Sequence, residues 1–296
     1  AYPNVLEGLQ IIWSIFMNSE SMKFLNGSFD EVLELEDFIQ RQKEILELTT
    51  KKFKASIQET LESAISSTNR TNEEGVPLIT DPLSEERLKF KTMVILTIRM
   101  LHTVMLDIVG NSLDKYLSLF RDRLEDDTIP PQFSVFLKFG EKSQLIPSVQ
   151  EFKKSIMAIL DLLEEKVIDL PIITIPLYDV NVNCVSFYDC RVIIQNAKID
   201  LEAILDKIIE KVDDINNSYK TLSESLRLNL NTFAQEFDPK GQRTLDEYRQ
   251  KINEFEKAHV IVSTQLVNLY HTTIFNIDCA EFKTKASQHI NKLIAF

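Results

Sequence analysis

Glycine is scarce in this chain. Its six residues stand at positions 8, 27, 75, 110, 140 and 241, and no two lie within ten positions of each other. Neither a GxxxxGK[ST] loop nor a GxGxxG turn can be built from that spacing, so phosphate-cradling loops of those two kinds are excluded. Cysteine is also scarce. Cys184, Cys190 and Cys279 form an odd set without a CxxC, which fits a reducing compartment. Positive charge is in deficit: 33 Lys and Arg stand against 45 Asp and Glu, for a net charge of −12. Nucleic acid and anionic membranes call for the opposite balance, so neither is expected as a partner. Long uncharged apolar runs are missing too. The most apolar stretch, MVILTIRMLHTVMLDIVG, contains Arg99, His102 and Asp107. These would be costly at a bilayer centre, so the stretch predicts a buried helix and not a membrane span. No basic n-region followed by an apolar run comes after Ala1-Tyr2-Pro3, so no signal peptide is read. Without a secretory signal, the sequons at Asn26, Asn69 and Asn216 are read as chance matches. The missing initiator methionine, and a helical pattern still running at Leu293-Ile294-Ala295-Phe296, read as a piece of a larger polypeptide.

What is present is helical periodicity. The 296 residues, 44% hydrophobic and 26% charged, suffice for two domains or one elongated one. Three Ser/Thr-x-x-Glu boxes predict helix starts: Ser28 with Glu31, Ser148 with Glu151, and Thr244 with Glu247. A first helix is expected from about Phe29 into the mid-60s, with Val32, Leu35, Ile39, Leu46, Phe53, Ile57, Leu61 and Ile65 on one face. The polar run SSTNRTNEEG then reads as an exposed loop. A second long helix is expected from near Ser84 to about Phe120. It is apolar on most faces between Met93 and Val109, and therefore reads as the most buried.

The strongest repeat lies further on. Leu201, Leu205, Ile208, Val212, Ile215, Tyr219, Leu222 and Leu226 alternate spacings of four and three, slip at Leu230, and resume through Phe233 and Phe237. Pro239 and Gly241 end that helix. Leu245, Tyr248, Ile252, Phe255, His259, Val262, Leu266 and Leu269 repeat at the same period. Joined by DPKGQR, the two segments are expected to pack antiparallel along most of their length.

One stretch, PPQFSVFLKFGEKSQLIPS, has period two. Phe133, Val135, Leu137 and Phe139 make an apolar face, GEKS a turn, and Gln144-Leu145-Ile146 a return strand. A lone hairpin is marginal in water, so this one is expected to lie against helices. The fold class read from these features is mainly α: elongated helical bundles, long antiparallel coiled-coil-like helices and one small β-hairpin. The expected division is 1–75, a helical segment with an exposed loop; 76–190, a helix–hairpin–helix bundle; and 191–296, a long helical hairpin with a C-terminal helix.

Side chains that could do chemistry are few and dispersed. Cys184 and Cys190 lack the tight spacing and nearby histidines of a zinc site and read as buried or incidental thiols. His271 and Cys279 lack an orienting partner for a nucleophile pair. His259 on the apolar seam reads as a satisfied core histidine. The acidic pairs Glu164–Glu165, Asp126–Asp127 and Asp213–Asp214 read as solvated charge, and Trp13 as a packing residue. No catalytic, cofactor-binding or metal residue is nominated, and no cofactor is expected.

The order of features carries a resemblance. The run RLKFKTMVILTIRMLHTVMLDIVGNSLDKYLSLF, then a P-x-F hairpin, then IPSVQEFKKSIMAILDLLEEKVIDLP, resembles the tail of axonemal dynein heavy chains, above all the single-headed inner-arm type. LYHTTIFNIDCAEFKTKASQHINKLIAF is similar to the tail segment shortly before the dynein linker. The likeness covers residues 76–170 and 245–296. It implies a non-catalytic, force-transmitting stem in a ciliary axoneme, with the ATPase elsewhere in the parent chain. The implied partners are accessory chains, such as actin and light chains of the centrin kind, and axonemal docking proteins. A helical scaffold or tether unrelated to motors fits the composition equally well.

Overall fold

The helix starts show where the capping signals hold. In a computed structural model of the chain, Ser148 and Thr244 cap helices as their boxes predict. The Ser148 N–H and hydroxyl both donate to Glu151 Oε2, at 2.9 and 2.8 Å, and the Glu151 N–H returns to Ser148 Oγ at 3.2 Å. Thr244 and Glu247 repeat the exchange, with a Thr244 N–H to Glu247 Oε2 distance of 2.6 Å. The third box fails. Residues 28–34 are not helical, and α1 (Leu35–Ser67) begins six residues later than predicted. The reason is a competing partner. Leu33 bridges to Phe133: its N–H donates to the Gln132 carbonyl at 2.9 Å, and its own carbonyl accepts the Ser134 N–H at 2.8 Å. Backbone groups satisfied by a strand no longer need a helix.

The structure describes residues 22–67, 73, 75, 84–126, 128–138, 144–168, 170, 173–175, 180–182, 188–226, 230–254, 256–257, 260 and 274–295. After α1 come α2 (Glu85–Glu125), β1 (Phe133–Lys138), β2 (Gln144–Ile146) and α3 (Val149–Ile168). Then follow β3 (Ile173–Ile175), β4 (Val180–Val182), α4 (Tyr188–Leu226) and α5 (Leu230–Phe237). A helical segment over 245–254 is α6, and the chain continues through β5 (Phe275–Asp278) to α7 (Ala280–Ala295). The protein is mostly helical with a small three-stranded sheet. Two compact units divide the chain: Ala1–Gly27, Ile39–Leu117 and Met157–Asp200 form the first, and Ser28–Phe38, Ser118–Ile156 and Leu201–Phe296 the second.

The predicted hairpin exists, but it is not alone. In the second unit β1 pairs antiparallel with β2, placing Phe136 opposite Ile146, and parallel with β5, placing Phe133 opposite Phe275. The sheet order is therefore β2-β1-β5. A third strand supplies the stability that an isolated hairpin lacks. Phe133, Val135 and Leu137 are buried as the period-two pattern requires; Phe139 and the GEKS turn lie outside the described residues. The buried face of β1 enters an aromatic cluster. The Phe133 ring lies 4.8 Å from Phe38, 4.9 Å from Phe152 and 6.1 Å from Phe120, and Phe152 lies 4.8 Å from Phe275. Most of these are edge-to-face contacts, the arrangement ring quadrupoles favour. From α7, which packs against β1, Phe282 and Ile290 are buried as well. A second strand pair, β3 with β4 in the first unit, corrects the expectation of a single hairpin.

Two helix expectations are met only in part among the described residues. Among the described side chains of α2, Val104, Met105, Val109, Leu113, Tyr116, Leu117 and Phe120 are enclosed. Ile95 and Leu96, within the stretch read as most buried, are 44% and 42% exposed. On α4, Leu201, Leu205, Ile208 and Val212 are buried as the heptad predicts. A long coiled-coil-like pairing with 244–270 is not seen among the described residues. The contacts described at that turn are local: Phe237 meets Tyr248 at 5.1 Å, and the Arg243 guanidinium lies 4.2 Å over the Phe237 ring. Asp238 closes the turn by accepting the Gln242 and Arg243 N–H groups, and Gly241 takes φ +61°, which a side chain would strain. Leu245 is exposed and Ile252 buried; Phe255, His259, Val262, Leu266 and Leu269 lie outside the described residues. The described ion pairs of α4 run to α3 and, from Asp189 at 3.4 Å, to His102 of α2.

Candidate functional site

Three polar constellations stand out, and each is built from side chains held inside an otherwise apolar stripe. The first is Gln42. The described buried positions of α1 are Leu35, Phe38, Gln42, Leu46, Thr49, Thr50 and Phe53, so three polar residues lie among them. In the first unit, Gln42 Oε1 accepts the Asn26 N–H at 2.9 Å and Gln42 Nε2 donates to the Asn26 carbonyl at 2.7 Å. Thr49 donates to the Lys23 carbonyl at 2.7 Å, and the buried Ser112 hydroxyl on α2 accepts the Phe24 N–H at 3.0 Å. The incoming segment thus has its backbone satisfied by side chains while Phe24 and Leu25 fill the core. Gly27 completes the fit: a Cβ there would lie 2.3 Å from the Lys115 carbonyl oxygen. The sequon at Asn26 falls inside this docked segment.

Gln132 repeats the device in the second unit. It is 1% exposed; its Oε1 accepts the Phe29 N–H at 3.3 Å, and its Nε2 donates to the Glu31 carbonyl at 2.7 Å. Arg123 on α2 also reaches Gln132 Oε1, at 3.3 Å, and donates to the Pro130 carbonyl at 2.9 Å. Burial draws the Arg123 pKa down from its ordinary value, against the opposing charge of Asp122.

The third constellation is ionic. Glu164 on α3 is only 12% exposed at its side chain. It accepts from Arg191 Nε at 2.9 Å, Gln195 Nε2 at 2.6 Å and Lys198 Nζ at 2.5 Å, all from α4. Lys198 also pairs with Asp161 at 2.7 Å. Burial works to raise the Glu164 pKa, but the hydrogen bond and charge of Lys198, followed by those of Arg191, hold it below the ordinary carboxylate value. Lys198 is held above its ordinary value: burial opposes its charge, but Asp161 and Glu164 outweigh that. In the second unit, Lys153 on α3 pairs with Glu202 and Asp206 of α4 at 3.1 and 2.6 Å. The partner order is opposed, so α3 and α4 run antiparallel where they meet.

These arrangements hold backbone and helix; none brings a nucleophile, a base and an oxyanion donor to one point. The reading of Glu164 as solvated charge is overturned, because α4 presents three donors to it; Glu165 beside it is exposed. Asp126 is exposed and stops a turn by accepting the Thr128 N–H and hydroxyl. Cys190 is buried in the first turn of α4, its thiol pushed up to about 12 by burial and by Asp189. Cys279 is buried, its pKa raised chiefly by burial. Both are inert thiols by that criterion. Trp13, Cys184, His259 and His271 lie outside the described residues, as do Asp127 and the side chains of Asp213 and Asp214. Among the described residues no group of three His, Cys, Asp or Glu could hold a metal ion. No helix there is long and apolar enough to cross a membrane.

Sequence reasoning missed the two glutamines. Their one visible signal was a polar residue at an inward position, Gln42 on the α1 stripe and Gln132 one residue before β1. Neither a protein-family model nor a curated protein matches the chain.

Proposed function

We propose that this chain is a non-catalytic segment of the tail of an axonemal dynein heavy chain, a stem that transmits force and carries accessory chains. The reading rests on one observation: a long helix, a P-x-F hairpin and a capped helix follow each other as α2, β1–β2 and α3. The mechanical role follows from how such an element bears load. Buried rings and side-chain clamps spread a pull over many contacts, whereas a loop-borne site would concentrate it. Extended α4, about 60 Å long at 1.5 Å per residue, supplies the reach, and pairing of its distal half with the segment that follows would make a longer antiparallel lever. Actin, centrin-like light chains and doublet docking proteins are the proposed partners, and no cofactor is assigned to this segment.

Biochemical fractionation tests the reading. The tagged protein, expressed from its own locus in ciliated cells, is expected to remain with demembranated axonemes and to leave them in high salt. The released fraction should contain a microtubule-translocating ATPase. Retention in the cell body, or release without motor activity, would reject the dynein assignment in favour of a helical scaffold or tether.

A further inference from the structure

Steric crowding fixes glycine at position 27, where a Cβ would stand 2.3 Å from the Lys115 carbonyl oxygen. Asn26 precedes it, and this is the sole Asn-Gly pair in the sequence. Such a pair is chemically labile. The glycine peptide nitrogen attacks the asparagine Cγ with no side chain to hinder it, and an N–Cγ bond forms. The Cγ–Nδ2 bond breaks, and Nδ2 leaves as ammonia with the proton from the glycine amide. Water then opens the cyclic imide at either carbonyl, leaving aspartate or isoaspartate. The imide is a five-membered ring, so closure needs the glycine nitrogen nearly eclipsed with the asparagine Cβ. Reaching that position requires rotation about the asparagine Cα–C bond.

We propose that Asn26–Gly27 is a deamidation site gated by docking of the Met22–Gly27 segment, with Gln42 as the gate. One side-chain amide holds both ends of the torsion that must turn. Gln42 Oε1 accepts the Asn26 N–H at 2.9 Å, and Gln42 Nε2 donates to the Asn26 carbonyl at 2.7 Å. Both groups can meet a single planar amide only when they point the same way, as in extended backbone. That arrangement keeps the Gly27 nitrogen away from the position beside Cβ that closure needs. Lys23 Nζ donates to Asn26 Oδ1 at 2.9 Å and restrains the side chain as well. Thr49 and Ser112 anchor the flanking Lys23 carbonyl and Phe24 N–H, and Phe24 and Leu25 are fully buried. The docked segment is therefore blocked from reacting, and a segment that leaves its seat is not. Isoaspartate inserts an extra methylene into the main chain at residue 26. The N–H and carbonyl that Gln42 grips are then spaced too far apart for one amide, so the altered segment cannot seat again. A passing detachment becomes a permanent covalent mark. The inference is independent of the dynein reading, since it uses only contacts within the first unit.

Peptide mapping by mass spectrometry, during incubation of the full chain at neutral pH, counts aspartate and isoaspartate at residue 26. The synthetic peptide SMKFLNGSFD gives the unrestrained rate. The parent should react at least about tenfold more slowly than the peptide, because only its locally open form reacts. Gln42→Leu should react about tenfold faster than the parent, the factor by which losing such a clamp raises the open population. Thr49→Val removes the bond to the Lys23 carbonyl and should accelerate the reaction several-fold. Ser148→Ala loses a helix cap of the second unit and should leave the rate unchanged. A parent as fast as the peptide would overturn the proposal, and so would Gln42→Leu no faster than the parent. Equal acceleration by Ser148→Ala would overturn it too, by assigning the rate to global unfolding. If Gln42→Leu loses helicity, Thr49→Val decides alone: acceleration supports the gate, and an unchanged rate overturns it.

Discussion

The two units share an amide clamp, Gln42 in the first and Gln132 in the second, but differ in what is packed beside it. In the second unit Phe38, Phe120, Phe133, Phe152 and Phe275 meet ring to ring around the first strand of the sheet. In the first, a segment entering at Lys23 is held by Gln42, Thr49 and Ser112, and α3 meets α4 through Glu164. The apolar burial that gathers the rings is non-directional, so the cluster sets stability more than orientation. Amide and ionic clamps contribute less net free energy but fail when geometry is wrong, so they select one arrangement. Stability and specificity are thus carried by different kinds of contact.

The largest effect should come from the ring cluster. Phe133→Ala removes a fully buried side chain with four ring neighbours and is expected to cost about 3–5 kcal/mol in urea denaturation. A loss near 1 kcal/mol would mean that the rings are not the second unit's main support. Next comes Gly27→Ala, which drives a Cβ against the Lys115 carbonyl and should destabilise by about 1–3 kcal/mol through backbone displacement. An unchanged midpoint would show that the segment's approach to α2 is loose. Gln42→Leu and Gln132→Leu keep volume but strand backbone groups, and each should lose about 1–3 kcal/mol. Amide exchange would localise the damage: Asn26 should lose protection in the first variant and Phe29 in the second. Smaller again is the cap comparison. Ser148→Ala should cost about 1 kcal/mol, as loss of a helix cap does. Ser28→Ala should lose no cap at all, because no helix starts there.

Acid supplies the finest test. Glu164 has a folded pKa below its ordinary value of 4.5, so the unfolded chain binds the proton more readily. Its contribution to stability is complete above that value and disappears as pH falls through the folded pKa. The parent should lose stability below about pH 4.5 more steeply than Glu164→Gln, and equal slopes would remove the ionic cluster from the account.

Legibility in the sequence followed the same division. Period-two alternation at Phe133, Val135 and Leu137, the boxes at Ser148 and Thr244, and the heptad through Leu201 and Val212 are local patterns, and the structure keeps them. β5 was hidden because Phe275–Asp278 acquires its role only by parallel pairing with a strand over a hundred residues away. Strands β3 and β4 left a weaker trace in Ile173-Thr174-Ile175 and Val180-Asn181-Val182, too short to outweigh the surrounding helix signal. The Ser28 box misled because its capping chemistry competed with a bridge to β1 that sequence spacing cannot reveal. Glu164 looked like any surface acid, since the donors that enclose it stand 27 to 34 positions away.

A crosslinking map of intact axonemes tests the central claim most directly. The dynein reading requires crosslinks from exposed lysines of this chain, such as Lys51, Lys52 and Lys207, to a motor's accessory chains or to doublet docking proteins. Crosslinks confined to proteins outside the axoneme, with none to any motor subunit, would contradict it.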